Sequence, residues 1–153
     1  MKILMYCLLL LTLGVAQAQQ DPVQLRISAT KGNKTALQGL RTLAGEGNAS
    51  AQFNLGVMYA TGEGVPKDAV HAVAWYRKAA EQGNAAAQYN LGLMYASGEG
   101  VPKDLVIAYM WRNLAAAQGN ELGKTARDAL ERSMTPAQIA EAQKLSREWT
   151  PKK

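Results

Sequence analysis

Residues 54–68 read NLGVMYATGEGVPKD, and residues 90–104 read NLGLMYASGEGVPKD. The two stretches lie 36 residues apart, and the likeness extends outward from them in both directions. Residues 47–82 laid over residues 83–118 agree at 24 of 36 positions without a gap, and Gly119-Asn120 opens a third copy at the same interval. Self-similarity at a fixed period of this size marks a stacked array in which each copy is one supersecondary unit.

The unit reads as two helices. Ala51, Leu55, Met58 and Tyr59 fall at i, i+4, i+7 and i+8, one face of a helix. Asn48 is placed to cap its start, and Gly47 to end the preceding helix in a left-handed conformation. Gly-Asn is therefore a tight turn, repeated at 83–84 and 119–120. Inside the helix sits Gly56, matched by Gly92. Glycine there costs about 1 kcal/mol relative to alanine, so its repetition predicts a neighbouring helix backbone passing close. The loop GEGVPKD follows. Its glycines stop the first helix, Pro66 holds Val65 extended, and Asp68 caps the second helix. That helix carries Ala72, Trp75 and Ala79 on one face, and its counterpart carries Ala108, Trp111 and Ala115. A lone hairpin of this kind cannot bury its apolar face, whereas stacked neighbours can. The fold class that follows is all-α: an α/α superhelical solenoid of antiparallel helix hairpins with 36-residue repeats.

The chain divides around the repeats. Residues 1–18, MKILMYCLLLLTLGVAQA, carry Lys2, an apolar run from Ile3 to Val15, and small residues at Ala16 and Ala18. This is the layout of a cleaved secretory signal peptide. A run of 13 residues is too short to span the bilayer core of about 30 Å, so no stable membrane insertion is expected once it is removed. Export is the resulting localisation, to a periplasm or beyond the cell. Residues 19–31 read as a poorly ordered N-terminal segment and 32–46 as the second helix of a degenerate first unit, with Gly39 where tryptophan would stand. Repeat 1 takes residues 47–82 and repeat 2 takes 83–118. Residues 119–149 form a C-terminal capping pair, with Thr135-Pro136-x-Gln138 as a capping box, and 150–153 are a tail.

Composition narrows the function. Cys7 is the only cysteine and falls in the leader, so the mature chain has no disulfide, thiol nucleophile or thiolate metal site. Loss of Lys2 leaves 16 Lys and Arg against 12 Asp and Glu, a scattered net charge of +4 rather than a basic stripe. Nucleic acid is not the expected partner. His71 is the sole histidine, and the next repeat has Ile107 in its place, which reads as packing or surface rather than a general base. Gly62-Glu63-Gly64 and Gly98-Glu99-Gly100 lack the lysine and the preceding strand of a phosphate loop. Glu63 and Glu99 belong to no ligand-spaced cluster, so neither metal nor cofactor is expected.

The pattern A-x-A-Q-x-N-L-G-x-M-Y-x-x-G-x-G-V-P-K-D, then A-x-x-W-x-x-x-A-A-x-x-G, resembles the Sel-one-like repeat (SLR), a relative of the tetratricopeptide repeat. The resemblance covers residues 47–118. It implies an all-α solenoid acting as an adaptor in protein complexes, often exported in bacteria. A non-enzymatic, monomeric protein that binds a protein or an extended peptide is the expectation. Alternatives are a cell-envelope hydrolase or small-ligand binder of β-lactam or peptidoglycan type, and a stabilising subunit of an envelope complex. In the tetratricopeptide fold the first helix of each unit lines the concave side. The resemblance then puts Ser50, Phe53, Asn54, Val57 and Thr61 on the open face, continued by Ala86, Tyr89, Asn90, Leu93 and Ser97. Phe53, Asn54, Val57, Tyr89, Asn90 and Leu93 are the candidate partner-binding set. Phe53 and Tyr89 either line a groove or complete the core. The other surface to consider is the convex one, around Tyr76, Arg77 and Arg112.

Overall fold

The computed structural model describes residues 21–152. The expected signal peptide at 1–18 lies outside them. Eight helices follow in order among the described residues: α1 (Pro22–Thr30), α2 (Lys34–Gly45), α3 (Ala49–Thr61), α4 (Ala69–Glu81), α5 (Ala85–Ser97), α6 (Leu105–Ala117), α7 (Glu121–Glu131) and α8 (Pro136–Glu148). No described residue is in a strand. From α1 to α7 each helix packs mainly on its sequence neighbours, as a stacked array requires.

The local chemistry sets the helix limits. Asn48 accepts a hydrogen bond from the Ala51 amide at 2.9 Å, and Asn84 does the same for Ala87. Gly47 and Gly83, at φ +96° and +92°, make the reversal between units without the strain a side chain would meet there. Asp68 and Asp104 cap α4 and α6 through the amides of His71 and Ile107, each at 3.0 Å. The loop glycine Gly100 lies directly against the Ala69 carbonyl at the start of α4, so consecutive GEGVPKD loops stack on the preceding unit.

Of the segment 19–31 expected to be poorly ordered, the described part, from residue 21, is structured. Residues 22–30 are helix α1, capped by Asp21 with Pro22 in the first turn. Ala29 is buried with Ala36, Leu40 and Ala44 of α2 and with Ala51, Leu55 and Met58 of α3. This first hairpin is joined by a short turn at Gly32 rather than a seven-residue loop, so it lacks the words that mark the other units.

Of the anticipated core face, Ala51, Leu55 and Met58 are fully buried, as are Ala72, Ala79, Ala108 and Ala115; Trp111 is buried, and Tyr59 and Trp75 are half-buried at its edge. The interhelix glycines are closed over, with one difference from expectation. At Gly56 the close neighbour is a side chain, not a backbone: an added Cβ would lie 2.5 Å from Cδ1 of Tyr76. At Gly92 it would meet Arg112 Cγ at 2.7 Å and the Ala108 carbonyl oxygen at 3.0 Å.

The C-terminal pair is not a further hairpin. Both α7 and α8 pack on α6, and they make no extensive contact with each other. Ile139 and Ala142 pack around Tyr109, while Leu145 and Trp149 reach the cluster that holds Trp111. The Trp111 and Trp149 rings meet edge to face, 6.1 Å apart. Beyond α8, Lys152 is pinned to Glu81 by its amide at 2.7 Å and its ammonium at 2.9 Å.

Candidate functional site

The expected binding residues run along α3 and α5, and the fold treats the two copies differently. Asn54 is only 2% exposed. Its amide donates to the Ser50 carbonyl at 2.8 Å, and its oxygen accepts from Arg26 Nε of α1 at 2.8 Å. It therefore does not face an open surface: α1, in the segment expected to be poorly ordered, covers it. Phe53 sits half-buried, its ring 6.0 Å from Tyr76, and Val57 packs against the same cluster. Phe53 thus belongs to the edge of the core. Tyr89 and Asn90 are half-buried, as Phe53 and Val57 are, and Leu93 is 37% exposed. Ser50 and Ala86 are half-buried, and Thr61 and Ser97 are exposed at the helix ends. The open part of the stripe is therefore its second half, Tyr89, Asn90 and Leu93.

The convex alternative is corrected at two of its three positions. Tyr76 is 4% exposed and Arg112 is 6% exposed. Burial in an apolar setting pushes the Tyr76 hydroxyl up to about 12. Arg77 alone is exposed, and it donates to the Tyr95 hydroxyl at 2.8 Å.

His71 does gain a carboxylate partner. Its Nδ1 lies 2.7 Å from Asp68 Oδ2, and its ring stacks on Tyr59 at 5.2 Å. The backbone amide of His71, then its ring, hold the Asp68 carboxyl below the usual carboxylate range. Both side chains are well exposed, and Asp68 is already committed as a helix cap. The pair ties the loop to α4. Glu99 pairs across the loops with Lys67 at 3.4 Å rather than with Glu63.

A set of glutamines escaped the sequence reading. Gln52 and Gln88 are buried. Gln52 donates to the Ala44 carbonyl at 3.0 Å and accepts from Gln82 at 2.7 Å. Gln88 donates to the Ala80 carbonyl at 3.2 Å and accepts from Gln118 at 2.8 Å. Each buried glutamine gives a second donor to a carbonyl at the end of one helix, beside the amide of Gly47 or Gly83, and holds the end of another. The signal was the A-Q and A-x-Q-G words recurring at the repeat interval. The first pair edges an open cleft of about 500 Å³ at the turn edge, where Glu46, Lys78, Glu81 and Lys152 mix both charges. Among the described residues no three His, Asp, Glu or Cys side chains converge, and no helix is long and apolar enough to cross a membrane.

Known proteins place this architecture. The family model of the Sel1 repeat matches residues 49–84 and 85–120. A Sel1 repeat protein from Oxalobacter formigenes is similar over 97% of its own chain and 78% of this one, with 37% identity and a TM-score of 0.66. The chain belongs to the Sel1 repeat family. A second Sel1-type neighbour is a protective antigen of uropathogenic Escherichia coli, c5321, which displays an SLR fold. It is 35% identical with a TM-score of 0.77 over 84% of this chain, and this chain spans only 30% of its length. No functionally curated protein matches. Sel1-repeat proteins generally mediate protein–protein interaction, and the family is typically a non-catalytic scaffold. In this member the two Sel1 repeats are α3 with α4 and α5 with α6, flanked by a short hairpin before and a cap after.

Proposed function

We propose that the chain is an exported adaptor that holds an extended segment of a protein partner in the cell envelope. The surface assigned to this task runs along α5 at Tyr89, Asn90 and Leu93, with Phe53 and Val57 of α3 at its margin. One observation carries the reading: the repeated asparagine is closed in the first unit and open in the second. Asn54 is buried and committed to Arg26 and Ser50, whereas Asn90 is only half-buried, beside a half-buried tyrosine and an exposed leucine. An asparagine amide both donates to and accepts from a peptide backbone. Aromatic anchors beside polar groups are the usual make-up of a binding hot spot. The leader-like residues 1–18 support export. A single open unit gives a short contact, so the expected affinity is modest.

The test is in-cell crosslinking of the tagged protein, then binding measurements with the captured partner. Tyr89→Ala and Asn90→Ala should each weaken binding while the melting temperature stays near the parent value. Asn54→Ala should instead lower the melting temperature, because it strips Arg26 of its acceptor. Normal binding by both α5 variants would remove this surface from consideration.

A further inference from the structure

Arg112 stands where the preceding repeat has Tyr76. In both units this side chain covers the glycine of the helix before it, Tyr76 over Gly56 and Arg112 over Gly92. The tyrosine shows that the space needs no charge. Arg112 fills it with its aliphatic stem and takes a guanidinium inside, at 6% exposure. Desolvation lowers its pKa, the mark of a cation held where water cannot stabilise it.

Buried charges are ordinarily paired. Arg112 takes part in none of the ion pairs among the described residues. Its Nη1 donates to the neutral Ala126 carbonyl of α7 at 2.9 Å. Its Nε is buried with no acceptor. Nε and Nη2 form one of the forked edges with which a guanidinium grips a carboxylate through two parallel hydrogen bonds.

The surroundings supply a route. The group lies where α5, α6 and α7 meet, at Gly92, Arg112 itself and Ala126. The only extensive helix neighbour of α7 is α6, so α5 and α7 are separated by a seam rather than joined by a packed interface. Tyr89, three residues before Gly92 on α5, stands to Arg112 as Phe53 stands to Tyr76, 6.0 Å away, in the first repeat, and it belongs to the open stripe. The guanidinium therefore borders the open stripe from the inside.

We infer that the α5–α7 seam at Arg112 is a subsite for a carboxylate carried by the bound protein segment, either an acidic side chain or the C-terminal carboxylate. The inference rests on the peptide-binding reading and specifies what the peptide must bring. The charge argues for this occupant: a carboxylate neutralises the buried cation and satisfies Nε in one step.

The experiment follows the Arg112 Nε–H resonance of isotopically labelled protein, assigned by its loss in Arg112→Met. Four probes are titrated: random hexapeptides without Asp or Glu bearing a free C-terminus, the same pool amidated, an amidated pool containing Asp and Glu, and inorganic phosphate. A shift with the free-acid pool supports the subsite and points to a chain terminus; a shift with the acidic amidated pool supports it and points to a side chain. Arg112→Tyr, which installs the residue of the first repeat, should fold, melt no lower than the parent, and lose about tenfold or more in affinity for the active pool. The subsite is overturned if no peptide pool moves the resonance, if the neutral amidated pool moves it equally, if only phosphate does, or if Arg112→Tyr binds as well as the parent. A partner that depends on Tyr89 while Arg112 stays silent would leave the adaptor surface standing and remove the subsite. Carboxylate peptides that shift Arg112 but ignore Tyr89→Ala would do the reverse.

Discussion

Gly56 and Gly92 are the residues on which the hairpins close. Each removes a Cβ where the partner helix lays a large side chain, and at Gly92 the Ala108 carbonyl also comes within reach. Gly92→Leu should overpack this contact and lower stability by about 1–3 kcal/mol in urea unfolding. Lys103→Ala, at an exposed loop position, should stay within about 0.5 kcal/mol. Equal midpoints for the two variants would refute the close approach. Tyr76, the ring over Gly56, offers a second readout. Its hydroxyl is raised to about 12 by burial. A group raised in the folded state contributes stability below its unfolded pKa of about 10 and loses it as pH climbs through the folded value. Ultraviolet titration should find a late-ionising component, to which Tyr109, also raised by burial, contributes; that component should shrink in Tyr76→Phe, which should resist alkaline unfolding better than the parent. A parent with no late-ionising tyrosine would place Tyr76 outside the core.

Helices in this array are joined end to end by polar side chains as well as by apolar faces. Gln88 links the end of α4 to the end of α6 through Ala80 and Gln118. Gln88→Leu fits the apolar surroundings but removes one of the two donors to the Ala80 carbonyl, which keeps the Gly83 amide at 2.9 Å, and returns the exposed Gln118 amide to water, a loss of about 0.5–1.5 kcal/mol. Gln118→Ala, at the exposed end of the same chain of bonds, should cost less than about 1 kcal/mol. A Gln88→Leu variant at least as stable as the parent would reduce the glutamines to filler. The caps respond to acid. Asp68 has a depressed carboxyl, so its contribution is present above its unfolded pKa of about 3.9 and fades as pH falls through the lower folded value. The gap in melting temperature between the parent and Asp68→Ala should narrow from about pH 6 to about pH 2. A gap that widens on acidification would contradict the capping role of the ionised side chain.

At the scale of the molecule, stability is the sum of stacked interfaces with two unlike ends. Each Sel1 repeat presents to its neighbour what the neighbour presents to the next, so the units are interchangeable at their joints. Removing residues 47–82 would join Glu46 to Gly83-Asn84 and bring Ala44 opposite Gln88, which bonds a carbonyl of the same kind at Ala80. The shortened chain should remain helical by circular dichroism and unfold at a lower temperature. A coil-like spectrum would mean that the interfaces are not equivalent. The far end depends on α8. Trp149 packs edge to face on Trp111, and Lys152 holds the tail to Glu81.

The sequence by itself determined the helical unit, its period, its caps and its apolar face, because each depends on residues within a turn or two of one another. Ala51, Leu55 and Met58 were legible from spacing, and Asn48 and Asp68 from position. Only the tertiary structure decided what covers each unit. Asn54 reads the same as Asn90, yet Arg26 of a helix with no repeat words closes over the first and not the second. Phe53 reads the same as Tyr89, yet only Phe53 joins the core around Tyr76. Tyr76 and Arg112 sit on a face that spacing assigns to solvent, and their burial follows from the glycine opposite each of them. The direction of α8 across α6 is not written in its own heptads, since a helix with an apolar stripe packs wherever a complementary stripe is left uncovered. Local pattern fixes which surfaces are sticky; the stacking order of the whole chain fixes which of them remain open.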